Sequence, residues 1–240
     1  MGQDRRLAVI VGIAFIVATV FNLVGTALVS PAVNATDYLT RIAADQDRVT
    51  LGAFFLFVAA VACPAIAIGL YPVLRRFSEA PAIGAVGFRV IEGALYVLVA
   101  VCVLLLVSLS QAPSTEGSPA QAASLVLGEQ LKAGRHWLGA TAVLTFGLGA
   151  ILYYWALYRT RLVPRWLSVS GLIAIVMVMA SAVLVLFRVI DTFSAPQIVL
   201  ALPIAVQEMV LAVWLIAKGF ATPAPGSASL DQARRLPMAA

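Results

Sequence analysis

Charge is what this chain has least of. Asp, Glu, Lys and Arg together make up 11% of its 240 residues, whereas hydrophobic residues make up 62%. A water-soluble domain carries about 25% charged and about 45–50% apolar residues. A globule of this size has too much surface for so little polarity to cover. Soluble enzymes, soluble nucleic-acid-binding domains and disordered chains are thereby excluded. Histidine occurs once, as His136, which leaves no pair for a bis-histidine haem and no HExxH or zinc centre. The two cysteines, Cys63 and Cys102, stand apart in apolar runs and read as small core residues. Lysine is confined to Lys132, in a polar stretch, and Lys218, at the end of an apolar run. Neither is placed for a Schiff base at membrane depth. The sequence also lacks a GxGxxG loop, a nucleophile–base pair and a carboxylate cluster. No cofactor and no metal are expected, and an enzyme is the least favoured class.

Long apolar runs take the place of charge. Six of them, at about 7–30, 49–71, 82–110, 136–158, 167–187 and 198–217, reach the roughly 20 residues that a helix needs to cross a bilayer. The expected fold is all-α, a bundle of six transmembrane helices forming one domain over residues 1–220. Residues 221–240, with three prolines and little hydrophobicity, are expected to be a disordered cytoplasmic tail. The first run exceeds the 7–15 residues of a signal-peptide core and is read as a retained span.

The net charge of +5 is explained by where the cations fall. Arg5, Arg6, Arg75, Arg76, Arg159, Arg161, Arg165, Lys218, Arg234 and Arg235 belong to one side of the six runs. Arg41, Arg48, Lys132, Arg135 and Arg188 belong to the other, among Asp37, Asp45, Asp47, Glu116, Glu129 and Asp191. By the positive-inside rule both termini are expected in the cytoplasm of a multi-pass protein of a bacterial plasma (inner) membrane. The lipid bilayer is then the partner and nucleic acid is not.

Two polar connections on the sparsely charged side carry helical signals. Ser118-Pro119-Ala120-Gln121 fits a capping box with proline at the first helical position. The Leu125–Leu131 stretch beyond it is expected to lie on the membrane surface, and residues 37–47 are a shorter version. These segments read as interfacial connectors, with a lid over a cavity as the alternative. His136 beside Trp137 reads as an interfacial residue. Tyr153, Tyr154, Trp155, Tyr158 and Trp166 read as an aromatic belt. Asn22 is expected to bond across helices, and Pro64 and Pro203 to kink their spans.

Three ionisable groups, Arg89, Glu92 and Glu208, fall deep inside apolar runs. Such groups cost roughly 2.5–3.5 kcal/mol each at the centre of a span and tend to face the bundle interior and pair. By helical rise both glutamates come to about 15 Å from the cytoplasmic side. Arg89 lies one turn from Glu92 on the same face, Tyr96 continues that stripe, and Gln207 adjoins Glu208. Spans three and six are therefore expected to touch, with Arg89 bridging to one or both carboxylates. Two carboxylates against one guanidinium in a low dielectric leave one glutamate to hold a proton.

Four blocks, Tyr71-Pro72-Val73-Leu74-Arg75-Arg76, Gly87-Phe88-Arg89-Val90-Ile91-Glu92, Leu162-Val163-Pro164-Arg165-Trp166-Leu167 and Leu202-Pro203-Ile204-Ala205-Val206-Gln207-Glu208, resemble a bacterial membrane family. It is known as domain of unknown function 4386. The resemblance runs over about residues 5–220 and implies a prokaryotic integral membrane protein of about six helices. It supplies no catalytic residues. The expected role is a small transporter-like or permeation protein whose polar centre handles a proton or a small polar or cationic solute. The alternative is a non-transporting scaffold or sensor subunit in which the same polar centre only fixes packing.

Overall fold

In the computed structural model, residues 2–112, 118–192 and 194–221 are described. They form seven α-helices and no strand. The order is α1 (Gln3–Val33), α2 (Tyr38–Ala44), α3 (Gln46–Leu74), α4 (Glu79–Ser110), α5 (Pro119–Thr160), α6 (Arg165–Leu186) and α7 (Ala195–Ala217). All except α2 are long and apolar enough to cross a membrane, so the six expected spans are present. The expected tail, apart from Ala221, lies outside the described residues, as do Arg234, Arg235 and Glu116. The backbone N–H of Ala221 itself donates to the Leu162 carbonyl at 2.8 Å.

The long helices form a closed ring in chain order. α1 packs on α3, α3 on α4, α4 on α5, α5 on α6 and α6 on α7, and α7 returns to α1. Lipid and apolar side chains are equally oily, so close backbone approach at small residues drives such packing. At the α1–α3 crossing, a Cβ on Gly25 would lie 2.8 Å from the Gly52 carbonyl oxygen and one on Gly52 3.0 Å from that of Gly25. The last contact of the ring is fastened by charge. The Arg5 guanidinium donates to the Leu215 carbonyl at 2.9 Å and to that of Ile216, satisfying groups that a helix C-terminus leaves without partners. At the same end Arg76 makes two 2.8 Å bonds to the Asp4 carboxylate. The described cations assigned to one side of the membrane thus share one end of the bundle, here called the basic end.

The structure departs from expectation in α5. The capping serine is in place, the Gln121 N–H donating to Ser118 Oγ at 3.2 Å after Pro119 enters the first turn. The helix it starts does not lie flat, however, but runs unbroken for 42 residues into the fourth span. Its interior contains no proline, and residues 129–133 are good helix formers, so nothing ends it. α2 docks on this extension and on α4. The Tyr38 hydroxyl donates to the Leu125 carbonyl at 3.1 Å, its ring fills the space left by Gly128, and the Lys132 ammonium lies 4.2 Å from the ring centroid. Burial and the nearby Glu129 carboxylate push the Tyr38 phenol up, which keeps it a donor.

Two apolar cores divide the interior. One fills the basic end with residues from α1, α3, α4, α5, α6 and α7, including Phe15, Ile66, Tyr153, Tyr154, Leu157, Leu211 and Leu215. Tyr153 and Tyr154 therefore belong to this plug and not to an aromatic belt, because they lie on the inward face of α5. Trp155, one position on, points outward, and so does Trp166. The second core joins α1, α2, α3 and α4 at the opposite end through Val29, Tyr38, Ile42, Leu56 and Val103. The side of that end bounded by α5, α6 and α7 is left unfilled.

Candidate functional site

The unfilled space is a cavity of about 560 Å³. Its mouth lies at the α2 end, among Asn34, Lys132, Arg135, His136 and Thr192, and its floor holds Thr19, Cys63, Arg89, Glu92 and Glu208. Beneath the floor the apolar plug closes the basic end. Phe15 meets Tyr153 edge-on at 6.3 Å between ring centroids, and Tyr153 meets Tyr154 at 4.6 Å.

Arg89 and Glu92 form the tightest part of the floor. Both are buried, at 2% and 3% exposure, and lie one turn apart on α4. Arg89 Nη1 donates to Glu92 Oε1 at 3.2 Å. Glu92 Oε2 is nearer, at 2.9 Å, but lies off hydrogen-bond alignment. A buried pair survives only when its remaining donors are also met. Arg89 Nε accordingly donates to the Cys63 carbonyl at 3.2 Å, and the guanidinium carbon sits 5.1 Å from the centre of the Phe146 ring, a cation–π distance.

Next to that carbonyl, Pro64 of α3 shapes the contact with α4. Pro64 has no N–H, so the carbonyl of Ala60, four residues earlier, loses its helical partner. Opposite it on α4 stands Gly93, where a Cβ would lie 2.8 Å from the Ala60 oxygen and 2.9 Å from Pro64 Cδ. This proline–glycine contact draws the two backbones together one residue from Glu92. On the other side Gly149 of α5 makes room for the arginine stem, a Cβ there lying 3.3 Å from Arg89 Cγ. Gly149 therefore packs against a charged residue as well as apolar ones. Thr141 and Thr145, further up α5, bond back to carbonyls of their own helix.

Glu208 is placed differently from expectation. α4 and α7 stand across the ring from each other instead of packing as neighbours, so Arg89 does not bridge to Glu208. The two carboxylates share the cavity floor from opposite walls. Glu208 Oε2 accepts a long 3.5 Å hydrogen bond from Thr19 Oγ1 of α1, and Oε1 is buried without a hydrogen bond. Glu208 thus has no ion pair among the described residues.

Gln207, expected to support this centre, turns away from it. Successive helix positions differ by about 100°, which sends Gln207 into the packed core between α5, α6 and α7. There its Oε1 accepts from the Tyr154 hydroxyl and its Nε2 donates to the Leu167 carbonyl at 2.9 Å. Tyr96 lines the cavity one turn above Glu92. Asn22 also lines the cavity, and among the described residues it makes no bond across helices. Cys63, read from sequence as core, reaches the floor as well, its thiol donating to the Ala59 carbonyl at 3.3 Å.

Sequence reasoning missed the mouth. Lys132, Arg135, Gly139, Val143 and Phe146 follow one another at three- and four-residue steps along the cavity face of α5, with His136 beside Arg135. That periodicity was available in the sequence once the helix is allowed to continue upstream of residue 136. The His136 ring nitrogen Nδ1 lies 2.7 Å from Thr192 Oγ1, so His136 faces the cavity and not only the bilayer boundary. Among the described residues no group of three or more His, Cys, Asp or Glu is arranged to hold a metal ion.

Over residues 10–219 the chain matches the family described as domain of unknown function (DUF4386). No curated protein and no solved structure matches it.

Proposed function

The chain belongs to the DUF4386 family, and we propose that it is a small transporter-like membrane protein working through Glu208. In this reading Glu208 exchanges a proton, or meets the cationic or polar group of a solute, at the cavity floor. The observation that carries it is the cavity itself, which leads from the α2 end to a carboxylate that has no ion pair among the described residues. Arg89 is committed to Glu92 and Cys63, so the floor holds two carboxylates for one guanidinium. A protonated Glu208 balances that centre, and loss of the proton leaves a buried charge for a solute or water to meet.

The orientation belongs to the same proposal. The arginine-rich basic end lies in the cytoplasm of a bacterial inner membrane, with both termini there. The cavity then opens to the outside, and the Phe15–Tyr153–Tyr154 plug closes it to the inside. Passage requires that plug to part while the mouth narrows, as in alternating access.

The buried Arg89–Glu92 pair, taken alone, suits a scaffold or sensor subunit whose polar centre only fixes helix register. Glu208 does not suit that role, since a carboxylate with one long hydrogen bond fixes little. Reconstitution into liposomes with a proton gradient separates the two. The parent chain is expected to carry a proton-dependent flux, and Glu208→Gln is expected to abolish it without unfolding the protein. Absence of flux in the parent, or full flux in both Glu208→Gln and Glu92→Gln, rejects the transport reading.

A further inference from the structure

The charges that line the cavity are not all paired. Arg89 is met by Glu92. Lys132 is met by Glu129 at 3.1 Å and by the Tyr38 ring. Two groups remain, Glu208 on the floor and Arg135 at the mouth. Arg135 is partly buried and lines the cavity. Among the described residues it has no hydrogen bond and no carboxylate partner, and the ionisable groups close to it are Cys102 and His136. Its neighbours along the same face of α5 are Lys132 and His136, and among the described residues no carboxylate lines the mouth.

We infer that Arg135 is the docking point for an oxyanion, a carboxylate or phosphate group that enters the cavity at the α2 end. An unpaired guanidinium at a concave site costs desolvation that only an anion recovers, and its planar fork matches a carboxylate or phosphate in two parallel bonds. Thr192 Oγ1 and His136 supply polar groups beside it. The site is distinct from the floor. Arg135 lies 11 residues before Phe146, the ring that carries Arg89, which is about 16 Å along the helix axis. A small anion therefore meets Arg135 first and the carboxylates later.

The inference rests on the transport reading only for its purpose. It specifies a solute with an anionic group, accompanied by the proton on Glu208, so that anion and proton move as a neutral sum. The same oxyanion chemistry is presented by a free solute and by an anionic lipid headgroup reaching into the mouth, and the test separates these sources.

The purified full chain in nanodiscs of neutral phosphatidylcholine is titrated at constant ionic strength with acetate, inorganic phosphate and, as a cationic control, ethylammonium. Binding is read from thermal unfolding and from the fluorescence of Trp137, whose ring lies 4.8 Å from that of His136. A parallel series replaces part of the lipid with phosphatidylglycerol. Saturable stabilisation by acetate or phosphate identifies a free solute, and stabilisation by phosphatidylglycerol alone identifies a headgroup. In either case Arg135→Gln is expected to weaken binding about tenfold or more, the range of a charge-assisted bidentate contact. Arg135→Lys is expected to weaken it less. Without ligand, Arg135→Gln should unfold no earlier than the parent, because it removes a charge that has no ion pair among the described residues.

The inference is overturned if no oxyanion, free or lipid-borne, stabilises the chain. It is equally overturned if Arg135→Gln binds as the parent does, or if ethylammonium binds through Arg135 as well as the anions do. An Arg135-dependent oxyanion site in a protein without flux supports this inference and rejects the transport reading. Glu208-dependent flux without such a site does the reverse.

Discussion

Arg89 and Glu208 are both ionisable groups at membrane depth, but their surroundings give them different consequences. Arg89 is held by a carboxylate, a backbone carbonyl and an aromatic face, so removing it strands Glu92. Arg89→Met is expected to destabilise the protein by about 3–5 kcal/mol, the usual cost of orphaning a buried charge. Arg89→Met combined with Glu92→Leu should recover most of that loss. Denaturant unfolding of the two single variants and the double variant in detergent micelles gives the coupling directly, and additive losses would show that the pair is not a unit. All three deep residues were legible because a charge inside an apolar run has few structural excuses. Gln207 was not, since adjacency in sequence says nothing about sharing a face when the helix turns about 100° per residue. Arg135 was hidden by the assumption that its segment was a connector. Only the register of a continuous helix puts it in line with Val143 and Phe146.

At the scale of the elements, the site depends on how closely α3 approaches α4. Gly93 sets that distance against Ala60 and Pro64, and the Arg89–Cys63 hydrogen bond follows from it. Gly93→Val is expected to force the helices apart, lose that bond and destabilise the chain by about 1–3 kcal/mol through overpacking. Thermal unfolding and accessibility of the Cys63 thiol to maleimide check this. A Gly93→Val protein with unchanged unfolding would mean the contact is slack. The spans themselves could be read from hydropathy alone, and the serine cap of α5 from its spacing. The continuity of α5 could not. Capping signals mark where a helix starts, and only the lack of a breaker over the next 40 positions says that it reaches the membrane. The docking of Tyr38 against Gly128 is a tertiary match between segments 90 residues apart, which no local pattern encodes.

For the molecule as a whole, the charge distribution carries an orientation. With Cys63 and Cys102 replaced by alanine, single cysteines at Asp37 and at Arg76 report on the two ends. A membrane-impermeant maleimide applied from outside is expected to label residue 37 in intact cells, and residue 76 only after permeabilisation. The opposite pattern would invert the proposed topology and turn the cavity to the cytoplasm. The sequence specified six crossings and which loops share a side, but hydropathy is blind to lateral order. It therefore could not tell that spans three and six face each other across a space. That order has a consequence for biosynthesis. Neighbours in the ring are neighbours in the chain everywhere except between α1 and α7, which are made far apart in time. Until α7 is inserted, the Arg5 guanidinium waits without the carbonyls it will cap, and the wall that carries Glu208 does not exist. The ring thus closes only once α7 is in place, and a chain halted before residue 195 is an open arc, with α1 exposed along its unfilled edge.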